Sequence, residues 1–124
     1  MSTIKTDTLQ NVAGSLSVPV ATVVNGSAKA WVNFNGDGTI TIRAAFNVSS
    51  ITDNGPGDYT VNFTRAMPDA NYAAIGTGFH NGGYTLVLLP SAYASTNCRF
   101  ILRINGQNVI EQSDRNVVNV AIFR

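Results

Sequence analysis

One cysteine, one histidine and one tryptophan stand in 124 residues. Cys98 alone excludes a disulfide within the chain and a zinc site built from cysteines, and it reads as a buried or half-buried thiol in a strand. His80 alone excludes the paired-histidine patterns of metal enzymes. Charge is scarce too. Charged residues make up 12% of the chain, about half of the roughly 25% of an ordinary soluble domain. The net charge is +1; Lys5 and Lys29 lie far apart and the arginines are scattered, so nucleic acid has no electrostatic footprint to bind. No apolar run approaches the ~18–20 residues of a membrane-spanning helix, and membrane insertion is not expected. Met1 to Gln10 is polar and lacks the apolar core of a signal peptide, which predicts assembly in a cytoplasm.

What is present is alternation. Apolar positions interleave with Asn, Thr and Ser along most of the chain. Few charges, an uncharged polar face and no membrane segment predict surface hidden by other subunits, because obligate interfaces are depleted in charge. The length fits one domain with a modest core, plus a tail.

The stretch from Phe46 to Tyr72, FNVSSITDNGPGDYTVNFTRAMPDANY, organises the rest. Phe46, Val48 and Ile51 are expected to face one apolar side. Asp53-Asn54-Gly55-Pro56-Gly57 is a cluster of turn-formers. Tyr59, Val61 and Phe63 then alternate with Thr60, Asn62 and Thr64, the period of a half-buried strand. Pro68 has no N–H for a ladder and stops the pairing. The result is a β-hairpin with a corner.

Around it, Ser2 to Ala13 is polar, with Ile4, Leu9 and Val12 as apolar anchors; a short helix over Thr6 to Val12 is one option and Gly14 breaks it. Leu16 to Val24 is apolar, but Pro19 demotes it to an edge strand or extended linker, followed by a turn at Asn25-Gly26-Ser27. Lys29 to Phe34 reads as a strand that places Trp31 in the core or in a subunit interface, with an exposed sugar platform as the alternative. Asn35-Gly36-Asp37-Gly38 is a hairpin turn, and Thr39 to Arg43 returns the chain. Asn71 to Phe79 is a strand whose Gly76 and Gly78 permit a bulge or close backbone approach. His80 to Gly83 turns. Tyr84 to Leu89 is apolar enough to be buried on both sides, Pro90 ends it, and Ser91 to Asn97 is a polar loop holding Tyr93. In Arg99 to Ile104, Phe100, Leu102 and Ile104 share one face. Asn105-Gly106 turns, and Val117 to Phe123 closes the domain. About eight strands with regular turn signals predict an all-β fold, an antiparallel β-sandwich of jelly-roll type, with residues 1–27 as an extended attachment segment and 28–124 as the sandwich domain.

Several of these segments together resemble the C-terminal domain of phage tail-fibre and related virion proteins. They are Ala28 to Phe34, Phe46 to Ser50, Asp53 to Gly55, Tyr59 to Thr64, Ala66 to Tyr72 and Val117 to Phe123. The opening MSTIKTDTLQNVAG is similar to the start of short phage fibre proteins. The resemblance implies a virion fibre, a homotrimer, assembled in the bacterial host's cytoplasm. It implies attachment to other virion proteins through Ile4, Leu9 and Val12, and it brings no catalytic residues.

No catalytic set stands out. Asp37, Asp53 and Asp69 lie in turn sequences, where carboxylates bond local backbone. Asp53 and Asp58 flank a glycine-rich turn, but their spacing does not match a calcium loop. G-x-S-x-G, H-E-x-x-H and a phosphate-binding loop are missing. The three N-x-S/T sequons, at Asn25, Asn47 and Asn62, matter only in a secretory pathway. The chain is read as no enzyme, with no cofactor and no metal. Two functions lead, and a non-viral lectin-like sandwich, resting on fold analogy, is a distant third. In one, a trimeric fibre or fibre-tip module meets a host surface glycan through its loops. The contact candidates are His80, Asn81, Tyr84, Tyr93, Asn97, Asn105 and Asn108, since aromatic faces suit sugar C–H groups and amides suit hydroxyls. In the other, a head fibre, capsid decoration or tail adaptor has a purely structural role.

Overall fold

The computed structural model describes residues 1–79, 86–104 and 113–124. The fold is all-β and antiparallel. Two short strands come first, β1 (Thr8–Gln10) and β2 (Ser17–Pro19), then one helix, α1 (Val20–Gly26). Among the described residues eight strands follow: β3 (Ala28–Asn35), β4 (Thr41–Phe46), β5 (Val48–Gly55), β6 (Asp58–Phe63), β7 (Ala73–Gly78), β8 (Leu86–Tyr93), β9 (Asn97–Ile104) and β10 (Val118–Phe123). They form one sheet in the order β4-β3-β10-β7-β8-β9-β6-β5. The meander β7-β8-β9 is shared by two Greek keys, one closed by β10 beside β7 and the other by β6 beside β9.

This sheet folds over on itself into a sandwich. The Phe34 ring on β3 meets the Tyr59 ring on β6 edge-on, centroids 5.2 Å apart, although the two strands stand five places apart in the sheet order. The two edge strands of the sheet, β4 and β5, are consecutive in the chain and joined through Asn47. The interior is filled from both halves: Ala30, Val32 and Phe34; Val118, Val120 and Ile122; Leu88; Cys98, Phe100 and Leu102; Tyr59, Val61 and Phe63. Each of the four triplets is an i, i+2 series, as a strand with one face in the core requires.

The central hairpin follows the sequence expectation. β5 and β6 pair from Val48↔Phe63 to Gly55↔Asp58. Its turn uses positive φ at Gly55 (136°) and Gly57 (64°), and the Asp53 carboxylate accepts from the Gly55 amide at 2.9 Å. On β7, Gly76 faces inward under Leu88. A Cβ there would stand 2.6 Å from Leu88 Cδ2 and 3.0 Å from the Asn119 carbonyl oxygen, so this glycine marks a close approach.

Several expectations are corrected. Residues 1–27 are not one extended segment: β1 pairs with β2 (Leu9↔Val18), in place of a helix over Thr6 to Val12. A loop held by Asn11 joins them, its Oδ1 accepting from the Leu16 amide at 2.9 Å. Val20 to Gly26 is helical, not edge strand and turn. Its β-branched residues are poor helix formers, and it buries none of them. Pro19, at φ −58°, starts the turn, while Ser27 Oγ (2.5 Å to Val23 O) and Lys29 Nζ (to Val24 O) satisfy carbonyls at its end. Pro90 does not end its strand. β7 stops pairing with β8 at Val87, so β8 beyond that point carries a ladder on one side only, and a register shift between Pro90 and Ala92 absorbs the proline. Nor is this strand buried on both sides, since Leu89 is 42% exposed. The loop expected at Ser91 to Asn97 shrinks accordingly to the three residues between β8 and β9.

Candidate functional site

Asn47 breaks the run that the sequence presents as continuous from Phe46 to Ile51. It has φ 54°, a left-handed conformation that asparagine tolerates better than most residues. β4 ends before it and β5 begins after it, so Phe46 points outward, 54% exposed, while Val48 and Ile51 pack on the core. The Asn47 side chain ties this corner to two other segments. Its Nδ2 donates to Lys29 O at 3.0 Å and to Arg65 O at 3.1 Å. Its Oδ1 accepts from the Arg65 amide at 2.7 Å, and its own carbonyl accepts from Thr64 N at 3.2 Å.

Beside this corner lies a cavity of about 750 Å³. Val24, Ala28, Phe46, Ala66, Met67 and Pro68 give it apolar walls, and Lys29, Arg65 and Arg124 border it. Arg124 is engaged, donating to the Asp69 carboxylate at 2.7 Å and 3.2 Å. That pairing holds the Asp69 carboxyl below the usual carboxylate range. Asp69 also accepts from the Asn71 amide at 2.8 Å, closing the turn after Pro68.

A second feature crosses the outer face of the half-sheet β4-β3-β10-β7. Phe46 pairs with Trp31, Trp31 with Ala121, and Ala121 with Ile75. Residues directly opposite in antiparallel strands share a face, so the four make one row. Trp31 is 40% and Ile75 59% exposed, which places the single tryptophan outside the core of the chain. The adjacent row is neutral and polar: Asn33 Nδ2 donates to Asn119 Oδ1 at 2.6 Å, and Asn119 Nδ2 reaches Thr77 Oγ1 at 3.4 Å. The opposite outer face is different. Asn62 bonds Ser50 and Thr52 there at 3.1 Å and 2.9 Å. Arg99 grips Asp58 through two bonds of 2.8 Å and 2.5 Å, chiefly for which reason the Asp58 carboxyl titrates below its ordinary value.

The sequence-predicted site residues scatter. Ile4, Leu9 and Val12 are all exposed: Leu9 is on β1, Val12 in the loop that joins β1 to β2, and Ile4 ahead of the hairpin. Tyr93 and Asn97 stand on either side of the turn from β8 to β9. The Tyr93 ring lies 5.2 Å from that of Tyr72, and the Asn97 carbonyl accepts from the Tyr72 hydroxyl at 3.0 Å. His80, Asn81, Tyr84, Asn105 and Asn108 lie outside the described residues. Among those described, no group of three His, Cys, Asp or Glu side chains could hold a metal ion; Asp58 turns to Arg99, not toward Asp53. Sequence reading missed Asp114, which accepts from Gly57 N and from the Tyr59 hydroxyl, both at 2.9 Å, on one oxygen. Burial, and then this carboxylate, raise the Tyr59 phenol well above its ordinary value. Reading also missed the role of Asn47, whose signal was an asparagine at the junction of two strand patterns.

Comparisons with protein-family models, curated proteins and solved structures find no match to this chain.

Proposed function

We propose that this chain is a phage virion structural protein without catalytic activity, a short trimeric tail fibre or fibre-tip module that contacts the host cell surface. The observation that carries this reading is the Phe46–Trp31–Ala121–Ile75 row, an aromatic and aliphatic strip on the outside of a chain poor in charge. Such a strip flanked by neutral amides is what a covered subunit interface requires, with the charged residues left to the rim. Closed cyclic packing of three copies covers it and leaves the loops at the ends of the sandwich for a host glycan, where many copies offset weak single contacts. The exposed β1–β2 hairpin, with Ile4, Leu9 and Val12, is the segment that would dock on other virion proteins. If it alone carries the role, the chain is a head fibre, capsid decoration or tail adaptor.

Light scattering on the full chain tests the interface. The expected mass is three times 13.2 kDa, falling to one copy in Ile75→Arg, whose side chain sits at the far end of the row from the Asn47 corner. A monomeric parent chain overturns the trimer. Adsorption assays then separate the two roles: loop substitutions abolish adsorption without affecting assembly only in a host-contact module.

A further inference from the structure

We propose that the pocket at the Asn47 corner binds a small anionic ligand with an apolar body, a carboxylate carried on an aliphatic or aromatic frame. This site is separate from the loops and from the docking hairpin; it shares Phe46 with the outer row, and it does not depend on the fibre reading.

Volume is the first argument. About 750 Å³ lies within the ~300–1,000 Å³ of small-molecule sites. The walls supply the second: Phe46, Met67, Pro68, Val24 and the alanines 28 and 66 offer C–H surface, which gains from covering an apolar body. Charge supplies the third. Two of the bordering cations, Lys29 and Arg65, have no carboxylate partner among the described residues, and no Asp or Glu lines the cavity. Arg65 presents a planar fork suited to a carboxylate.

The neutral polar groups decide against a sugar. Both Nδ2 hydrogens of Asn47 are spent on the Lys29 and Arg65 carbonyls, and its Oδ1 on the Arg65 amide. Ser27 Oγ is spent on Val23 O. Thr64 is the one remaining neutral side-chain donor among the lining residues. A glycan buried here would leave most of its hydroxyls unpaired, at a cost for each. A carboxylate needs only the Arg65 fork and the one N–H of Lys29 that is not donated to the Val24 and Ser27 carbonyls, and the rest of the ligand needs no partners.

The left-handed Asn47 bears on the geometry. Backbone strain is sustained where the surroundings over-determine it, often at ligand sites. Here three side-chain bonds fix the Lys29 and Arg65 backbones to one residue, so both cations project from anchored positions.

The test is a titration of the full chain with sodium decanoate, with octyl glucoside as the uncharged amphiphile, both below micellar concentrations. Calorimetry reads the stoichiometry. Trp31 fluorescence reports locally, since Trp31 is the cross-strand partner of Phe46. The expected result is saturable binding of decanoate at one site per chain, weakened by salt. Octyl glucoside should bind at least ~10-fold more weakly, and Arg65→Glu should weaken decanoate by a similar factor, the size of a lost charge-assisted contact. Arg65→Gln should fall between. Equal affinity for the two amphiphiles, an unchanged Arg65→Glu, or no saturable binding would each overturn the proposal. Repeating the titration on Ile75→Arg separates it from the trimer: a variant that loses the oligomer should keep decanoate binding, and one that loses binding with the oligomer refutes a site complete within one chain.

Discussion

Substituting Asn47 three ways separates what its side chain bonds contribute from what its backbone costs. The residue holds φ 54° and makes three side-chain bonds of 3.0, 3.1 and 2.7 Å. At about 0.5–1.5 kcal/mol net for each bond, removing all three destabilises by roughly 1.5–4.5 kcal/mol. Asn47→Gly loses the bonds but relieves the left-handed strain, so its loss falls in the lower half of that range. Asn47→Ala loses the same bonds and places a Cβ in a conformation that costs it about 1 kcal/mol more. Asn47→Asp keeps the acceptor for the Arg65 amide but turns a carboxylate oxygen toward two carbonyls, so at neutral pH it should be no more stable than the glycine variant. Urea unfolding followed by circular dichroism gives the order, provided the slope with denaturant is unchanged. An alanine variant as stable as the glycine variant would refute the backbone argument. A glycine variant within about 0.5 kcal/mol of the parent would show that the bonds contribute nothing net.

Gly76→Ala should destabilise by about 1–3 kcal/mol, because Leu88 and the backbone oxygen of Asn119 both have to move; Gly26→Ala, with open space around it, should be neutral or slightly stabilising in the same melts. The folded-state value of Asp58 lies below 3.8, so its pairing with Arg99 adds stability above the unfolded carboxylate range, and this is lost as pH falls through the folded value. Asp58→Asn should flatten that acid limb by at most about 1 kcal/mol, since Arg99 is half-exposed and water screens the pair; a limb as steep as the parent's would remove the pair from the account. Burial pushes the Cys98 thiol up to about 11 from 9.0, so its neutral form stabilises the fold below the unfolded value, and up to ~3 kcal/mol is lost as pH climbs from one value to the other. Cys98→Ser should blunt the alkaline loss, and the native thiol should resist iodoacetamide until urea unfolds the chain.

The hairpin and the core were legible because alternation is local. Tyr59, Val61 and Phe63 face inward as their spacing requires, and so do Phe100 and Leu102. What was not legible depends on partners distant in sequence. Asp114 acts on Tyr59 across 55 positions, and nothing near it in the chain announces that contact. Trp31 and Phe46 look like core residues one at a time, and only the register between β3 and β4 places them side by side on the outside. Pro90 was read as a stop because a proline usually is one, while the exception depended on where β7 ceases to pair with β8. The pocket draws on α1, β3, the Asn47 junction, the segment after β6 and Arg124 beyond β10, five pieces that no single motif contains.

The strand order also sets a schedule for synthesis. β10 lies between β3 and β7 and supplies Val118, Val120 and Ile122 to the interior, yet it follows every other strand in the chain. Until it leaves the ribosome, β3 and β7 have no bridge between them, and each offers an unsatisfied ladder next to Trp31 or Ile75. Completion therefore waits for β10 and rests on pairings distant in sequence, which form slowly. During that interval neighbouring nascent chains can supply the missing strand to one another. Yield of the native protein should fall as expression rate rises, with the losses found as strand-exchanged aggregates.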